Sequence, residues 1–427
     1  MRRSIKSYAG RLLACLLLAA FAAGCGSKGA DNTTSSGGGG GSSGSIKTGP
    51  GVAAKTITLG VLTDLSGVFA PLGKPTVQGN QLFWKERNAQ GGVCNRTVKL
   101  VVKDHGYDPQ KAVVQYRELS SGVAGLQQLL GSPITAALLP SLKSDQMLSL
   151  LAAWPSSLLP NDNIIITGTT YDVEMINGLD YMMEQGKIKS GDKIGHLYFE
   201  GEYGENGLKG SKFFAQKNGM TIVEQKIKAT DEDMSGQVAA FKRAGVKAIA
   251  FTTAPTQLAS VAGIAAGQGL DVPLVGNNPT YDPALLKTPA AKALRANAYI
   301  VTSIAPYNFD KPEVKKVASD YQESYPKEVP KASAPFGYAQ GKLMYEILNQ
   351  ACQNKDLSRA GLVKAAHQLR NVDTGGLTAA PLNYTNLGQP SERAVYIARP
   401  ANVPGALKAF PQTFESDTAK SYEVGGT

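Results

Sequence analysis

Residues 56–67, TITLGVLTDLSG, contain the pattern that decides the fold. Their first part, 56–62, is a short apolar run rich in β-branched side chains, which predicts a buried strand. A loop rich in Gly and Pro follows over 63–75, and 77–88 then shows helical apolar spacing. A buried strand that leads through a loop into a helix is the first half of a parallel β–α–β unit.

The same alternation continues along the chain. Further strands are predicted at 98–103, 193–199, 221–228, 246–253 and 272–276, and further helices at 206–218, 235–244, 255–268, 336–352 and 358–370. Asp108-Pro109 and Gly131-Ser132-Pro133 each open another helix, since an N-cap residue stands before a Pro at the first helical position. This alternation predicts an α/β fold of parallel sheets with helices on both faces.

The first 25 residues predict export. Four basic residues (Arg2, Arg3, Lys6 and Arg11) precede an apolar run over 12–23, and small residues stand before Cys25. Residues 1–24 are therefore predicted to be a signal peptide, because the apolar run is shorter than the roughly 20 residues that span a bilayer. Cys25 looks like the lipidated Cys of a bacterial lipobox. The alternative is an ordinary cleavage site beside a chance Cys.

Residues 25–54 are predicted to be the lipidated Cys and a flexible leash. The segment is rich in Gly and Ser and has almost no large apolar side chain, so it buries too little surface to fold. Such a chain behaves as a coil, which suits a tether between a lipid and a folded body.

The composition limits what the folded body binds. The formal charge is +10, but four positive charges belong to the leader, which leaves +6 without a basic run. Nucleic acid is therefore a poor candidate partner. The remaining length of about 370 residues suggests two lobes. Beyond Cys25 the body contains Cys94 and Cys352, which either pair in an oxidising compartment or remain two buried thiols.

Motifs for catalysis and for cofactors are missing from the sequence. The three His residues (His105, His196 and His367) are far apart and lack metal-ligand spacing. No phosphate-binding loop, zinc-protease motif or C-x-x-C pair occurs. The first loop, 63–67, lacks the glycines that admit a dinucleotide. No metal, no cofactor and no covalent chemistry are expected, and an enzyme is a distant third possibility.

Several motifs, in order, resemble the periplasmic binding proteins of branched-chain amino acid (Leu/Ile/Val) ABC transport systems. They are ITLGVLTDLSG at 57–67, NAQGG at 88–92, DHGYDP at 104–109, EYGE at 202–205 and GLDVPLVG at 269–276. The resemblance implies a type 1 periplasmic binding protein with two lobes, three crossovers and a cleft at the carboxyl ends of the strands. Lobe 1 is then expected over 55–171 and 303–390, and lobe 2 over 172–302 and 391–427.

The resemblance also implies a ligand site. Its predicted residues are Ser66 in the first loop, Thr135, Ala152, Trp154, Tyr203 and Asn278. Thr135 corresponds to a hydroxyl at a helix start that holds a ligand carboxylate, where free N–H groups favour an anion. Ala152 corresponds to a residue with a free carbonyl, and Tyr203 to an aromatic lid from the second lobe.

Two of these residues depart from the family pattern. Trp154 replaces a hydroxyl residue and supplies a stacking face. Asn278 replaces the Glu that pairs the ligand ammonium, although a buried ammonium needs a charged partner. Glu200, Glu202 and Asp282 either supply that charge or are solvated loop acids. An α-amino acid, an amide, a carboxylate and an aromatic compound therefore remain open as ligands.

The resemblance implies the extracytoplasmic solute-binding component of an ABC importer, which captures a small polar ligand such as an amino acid. Its expected partners are a small-molecule ligand and the permease and ATPase subunits. The chain is expected to be a monomer at the extracytoplasmic face of the cell membrane, held there only by its lipid. The alternative is a ligand-sensing lipoprotein that signals through a membrane partner, because one fold serves both roles.

Overall fold

The computed structural model describes residues 45–424, so the predicted signal peptide and Cys25 lie outside the described residues. Strands and helices alternate within this range, which confirms the predicted α/β class. The strands are β1 (Lys47–Thr48), β2 (Thr56–Thr63), β3 (Thr97–Asp104), β4 (Leu126–Leu130), β5 (Ser149–Ala152), β6 (Ile164–Ile166), β7 (Lys193–Phe199), β8 (Thr221–Ile227), β9 (Ala248–Thr252), β10 (Leu274–Asn277), β11 (Ala298–Thr302), β12 (Asp356–Leu357), β13 (Tyr396–Pro400) and β14 (Leu407–Ala409).

The helices are α1 (Ala70–Ala89), α2 (Pro109–Ser120), α3 (Ser132–Ser144), α4 (Tyr171–Glu184), α5 (Glu202–Lys217), α6 (Ser235–Ala244), α7 (Pro255–Gly267), α8 (Ala291–Asn297), α9 (Pro312–Ser324), α10 (Ser333–Gln353), α11 (Arg359–Ala366) and α12 (Asp417–Ser421). Short 3-10 turns occur at Ser156–Leu158, Asn278–Thr280 and Pro283–Lys287. Within residues 45–424, none of the helices has both the length and the apolar character that a bilayer crossing requires.

The two main sheets use different parts of the chain. The five-stranded sheet has the order β3-β2-β4-β5-β6, and all its strands are parallel. The seven-stranded sheet has the order β14-β13-β11-β10-β9-β7-β8. Its strands β7 to β11 are parallel, whereas β13 and β14 are antiparallel at one edge. The second sheet is therefore mixed, since a connection as short as 401–406 joins only antiparallel neighbours.

The chain passes between the two halves at three places, near Gly168, Ser303 and Ser391. These passages lie side by side. The hydroxyl of Ser391 donates to the carbonyl oxygen of Gly168 at 2.8 Å. A Cβ atom on Gly168 would lie 2.2 Å from the Ser303 hydroxyl, and the φ of Gly168 is +116°, so only glycine fits without strain. The strands of each sheet fall inside the range expected for one lobe; the lobe boundaries themselves stay a prediction.

The end of the predicted leash belongs to the folded body. Strand β1 pairs in parallel with β12, and the Thr58 N–H donates to the Gly51 carbonyl at 2.8 Å. The part of the predicted leash that the structure describes thus pairs with the folded body, and the boundary expected at residue 54 stays a prediction. Backbone pairing to a formed sheet edge holds this segment although its composition is poor in apolar residues.

Helices α1 and α10 pack closely against each other, and this contact fixes where α10 begins. A Cβ atom on Gly79 of α1 would lie 2.1 Å from the Ala334 carbonyl oxygen, so the glycine permits the close approach. At the other end of the pair, Cys94 and Cys352 form a disulfide with their Cα atoms 6.4 Å apart. The first turn of α10 consequently lies against the middle of α1.

Candidate functional site

A cavity lies between the two halves, at the carboxyl ends of strands from both sheets. It contains about 850 Å³ of empty space, which includes its opening to solvent. Most of its wall is apolar, with aliphatic side chains and seven aromatic rings. The rings are those of Phe69, Tyr107, Trp154, Tyr171, Tyr203, Tyr281 and Phe336. Among the described lining residues, Lys331 is the one that carries a formal charge.

The aromatic rings contact one another across the cavity. Tyr203 and Tyr171 have their ring centroids 4.7 Å apart, and Phe69 stands edge-on to Tyr203 at 6.2 Å. Trp154 contacts Tyr171 at 5.8 Å and meets Phe336 edge-on at 5.3 Å. Such contacts contribute packing energy beyond the buried area and hold the rings in fixed orientations. The wall is therefore a preformed apolar surface.

Tyr203, predicted as an aromatic lid, lies at the start of α5 and lines the cavity. Its hydroxyl is 3.0 Å from the Thr253 carbonyl and 2.8 Å from Oδ1 of Asn277. Burial raises the pKa of this phenol well above its usual range. The hydroxyl is occupied by protein groups, so Tyr203 offers mainly its ring to a ligand.

Ala152, the last residue of β5, and Trp154, two residues later, were also predicted, and both line the cavity. The Ala152 carbonyl accepts the Gly131 N–H at 3.4 Å. Trp154 is only 2% exposed, and its indole N–H has no hydrogen-bond partner in the protein. A buried donor without a partner is costly, so a ligand oxygen at this position would gain a hydrogen bond.

Asn278 lines the cavity as predicted, directly after β10. Its side-chain oxygen accepts from the Thr302 hydroxyl at 3.3 Å, and its backbone N–H donates to Glu174 at 3.4 Å. Glu174 lies behind the wall and also accepts the Ser303 N–H at 3.2 Å. Burial raises the pKa of Glu174 to about 8.

The acids proposed as substitutes for the missing Glu do not reach the cavity surface. Glu200 and Glu202 are exposed and are not lining residues. Asp282 is buried, but its carboxylate is 2.5 Å from the Lys331 ammonium. Among the described residues, the cavity therefore presents no carboxylate to a ligand ammonium.

Two predicted site residues do not reach the cavity. Ser66 lies in an exposed loop, where its hydroxyl donates to Asp104 at 2.7 Å. Thr135 is fully buried in the first turn of α3 and donates to the Gly131 carbonyl at 2.9 Å. A Thr hydroxyl in a helix commonly bonds the carbonyl four residues earlier, which turns it away from a ligand at the helix end. The ligand-binding role of Ser66 and Thr135 stays a prediction.

Several residues of the cavity wall were not predicted from the sequence. Phe69, Tyr171, Lys331, Ser333 and Phe336 all line the wall. Phe336 was recognised only as the beginning of a predicted helix, and Tyr171 only as the end of a predicted lobe. The crossovers and the contact between α1 and α10 bring these residues to the cavity. No local sequence motif therefore marks them.

Two α/β halves that enclose a cavity at the ends of their strands define a ligand-binding protein of the two-lobed type. The model of the family described as "Periplasmic binding protein" matches residues 56–402. A fatty acid ABC transporter substrate-binding protein from Thermomonospora curvata is 46% identical, with a TM-score of 0.86 over 89% of this chain and 97% of that chain. The chain belongs to the periplasmic binding protein family.

More distant structures share the fold. A branched-chain amino acid ABC transporter protein from Thermus thermophilus with bound valine is 16% identical, with a TM-score of 0.76 over 86% of this chain and 99% of that chain. A leucine binding protein from Thermotoga maritima is also 16% identical, with a TM-score of 0.72 over 84% of this chain and 99% of that chain. No curated protein matches this sequence.

Proposed function

We propose that the chain is the extracytoplasmic solute-binding component of an ABC importer and that its ligand is a fatty acid or a similar apolar carboxylate. The observation that carries the proposal is the character of the cavity wall, with seven aromatic rings, one cation and no lining carboxylate among the described residues. Apolar sites of this kind obtain affinity from burial and orientation from a few polar groups.

The same wall argues against a zwitterionic amino acid. An α-ammonium group in the cavity would lose its hydration without gaining a charged partner, because Asn278 offers an amide and Asp282 is already paired with Lys331. A fatty acid has no ammonium group and avoids this cost. The relative from Thermomonospora curvata, described as a fatty acid ABC transporter protein, supports the same ligand class.

The proposal includes the location and the partners. The basic leader, the apolar run and Cys25 support export and a lipid anchor, with the folded body as a monomer on the outer face of the membrane. Delivery then requires a permease and an ATPase. The protein releases its ligand chemically unchanged, so the proposal includes no enzymatic step.

Calorimetric titration of the purified protein tests the ligand class. Octanoate and hexadecanoate are titrated at concentrations below micelle formation, and Leu, Ile and Val serve as the comparison ligands. We expect a fatty acid to bind and to stabilise the protein, by about 2.7 kcal/mol at about 100 times its dissociation constant. Tight binding of Leu, Ile or Val without binding of either fatty acid would overturn the proposal.

A further inference from the structure

The N-terminus of α10 opens into the cavity. Lys331, Ala332 and Ser333, which precede and begin the helix, all line the wall. The helix runs for 21 residues, no side chain caps its first N–H groups, and its first turn contains no acid. The positive end of a long helix dipole therefore faces the ligand space without a compensating group of its own.

Two unpartnered polar atoms lie at this end of the cavity. One is the indole nitrogen of Trp154, whose side chain is 2% exposed; the other is the hydroxyl oxygen of Ser333. The edge contact of the Trp154 ring with Phe336, at 5.3 Å, puts the indole beside the first turn of α10. Both groups are donors of the kind that a carboxylate oxygen accepts.

Lys331 contributes to the same end of the cavity. Its ammonium donates to Asp282 at 2.5 Å and to the Pro71 carbonyl at 3.0 Å. An ammonium has three donors, so two of them hold Lys331 in place and one remains. Asp282 balances the charge of Lys331, which leaves the helix dipole and the neutral donors to attract an anion.

The N-terminus of α3, which also borders the cavity, is less suited to this role. The Thr135 hydroxyl of α3 is bonded to the Gly131 carbonyl. It thus already has a partner within the protein, whereas the Trp154 indole and the Ser333 hydroxyl beside α10 do not.

We propose that the N-terminus of α10, with Trp154 and Ser333, forms the subsite for the ligand carboxylate, an inference that rests on the proposed fatty acid ligand. The alkyl chain then lies against the aromatic rings. The carboxylate receives hydrogen bonds from the Trp154 indole and the Ser333 hydroxyl, and it lies at the positive end of the helix.

The test compares hexadecanoate with its methyl ester, which has the same chain and no charge. We expect Trp154→Phe and Ser333→Ala each to weaken hexadecanoate binding by roughly tenfold, the usual consequence of losing a hydrogen bond to a charged group. We expect the affinity for the methyl ester to change much less, so that the ratio of the two affinities falls in both variants.

Trp84→Phe is the matched control, because Trp84 is the only other Trp in the chain and lies outside the cavity. Its indole donates to Gln127 at 2.9 Å, so the substitution removes the same kind of donor without touching the ligand. Hexadecanoate affinity in this variant should stay within about twofold of the wild type.

The outcomes separate the subsite from the function. If the wild type binds no fatty acid, the proposed function fails. If it binds hexadecanoate but Trp154→Phe and Ser333→Ala leave the ratio of acid to ester unchanged, the function stands and the α10 subsite is refuted. A loss of hexadecanoate affinity in Thr135→Val, without a loss in the α10 variants, would put the carboxylate at α3 instead.

Discussion

Glu174 should make the stability of the protein depend on pH. Its carboxyl group is fully buried in the first turn of α4 and accepts the N–H groups of Ser303 and Asn278. Burial raises its pKa to about 8 from an ordinary value of 4.5, and the neighbouring Asp172 acts in the same direction. The folded state therefore holds a proton that the unfolded state releases.

The sign and the size follow from this difference. Between about pH 4.5 and about pH 8 the unfolded chain binds fewer protons at Glu174 than the folded chain, so the free energy of unfolding falls as the pH rises. Each pH unit in this window lowers the free energy of unfolding by about 1.4 kcal/mol, and the total decrease is on the order of 5 kcal/mol. Below and above the window, Glu174 adds no pH dependence.

Glu174→Gln tests the reasoning because Gln keeps the shape of the protonated acid and does not titrate. Urea unfolding is measured from about pH 5 to about pH 8 for the wild type and the variant. As the pH rises across this range, we expect the free energy of unfolding of the variant to increase by about 4 kcal/mol relative to that of the wild type. Burial and the charge of Glu174 also raise the pKa of Glu392. Because the variant lacks the charge of Glu174, Glu392 ionises more easily there, which further increases the stability of the variant relative to the wild type at high pH.

Glu323→Gln is the control, since Glu323 belongs to α9 and its side chain is exposed. Its stability difference from the wild type, measured over the same pH range, is the reference for that of Glu174→Gln. If the difference between Glu174→Gln and the wild type stays constant within about 0.5 kcal/mol over the same range, Glu174 is ionised in the folded protein and the reasoning is wrong.

The remaining predictions concern the lid, the cavity charge, the disulfide and the anchor. Tyr203→Ala should weaken binding of the true ligand through lost ring contact, and more than Tyr203→Phe, which calorimetry measures; equal losses would assign the effect to the hydroxyl. Asn278→Glu should shift preference from anions toward amines in the same titrations, and an unchanged order would show that the side chain does not face the ligand. Thiol counting on the denatured, unreduced protein should find Cys94 and Cys352 blocked, and reduction of this 258-residue loop should lower stability by about 5 kcal/mol at most. Cys25→Ser should move the protein out of the membrane fraction, and retention there at the wild-type level would refute the lipid anchor.

The sequence predicted six strands of the two main sheets (β2, β3, β7, β8, β9 and β10) and missed the others. Strands β2, β3 and β7 were recognised because their long β-rich runs do not fit the apolar periodicity of a helix. Strand β4 (LQQLL) was missed since its two Gln side chains argue against a buried strand. In the structure both amides are buried and paired; Gln127 accepts the Trp84 indole N–H at 2.9 Å, and Gln128 donates to the Thr63 hydroxyl at 2.7 Å. Hydrogen bonds to residues distant in the sequence thus stabilise the buried Gln side chains in this strand, and the local sequence pattern does not indicate such bonds.

Some residues of the cavity were likewise predicted from the sequence, and others were not. Trp154 and Asn278 were predicted from the family resemblance, and both line the cavity just after β5 and β10, at the carboxyl ends of parallel strands. Lys331 and Ser333 were not, since they reach the cavity only through the packing of α10 on α1, far along the chain. For Thr135 the sequence indicated the position at a helix start but not the hydrogen bond of its hydroxyl to the Gly131 carbonyl.

The position of the buried acids connects these observations. Glu174 and Asp282 lie immediately behind the cavity wall, where one accepts two backbone N–H groups and the other pairs with Lys331. Neither acid is available to an amine without breaking an existing interaction, and burial favours the protonated form of Glu174. At the ligand surface the chain instead offers rings, unpartnered donors and the start of α10. The carboxylates are thus kept one layer away from the cavity surface, which supports the proposal of a ligand with an acidic head and an apolar body.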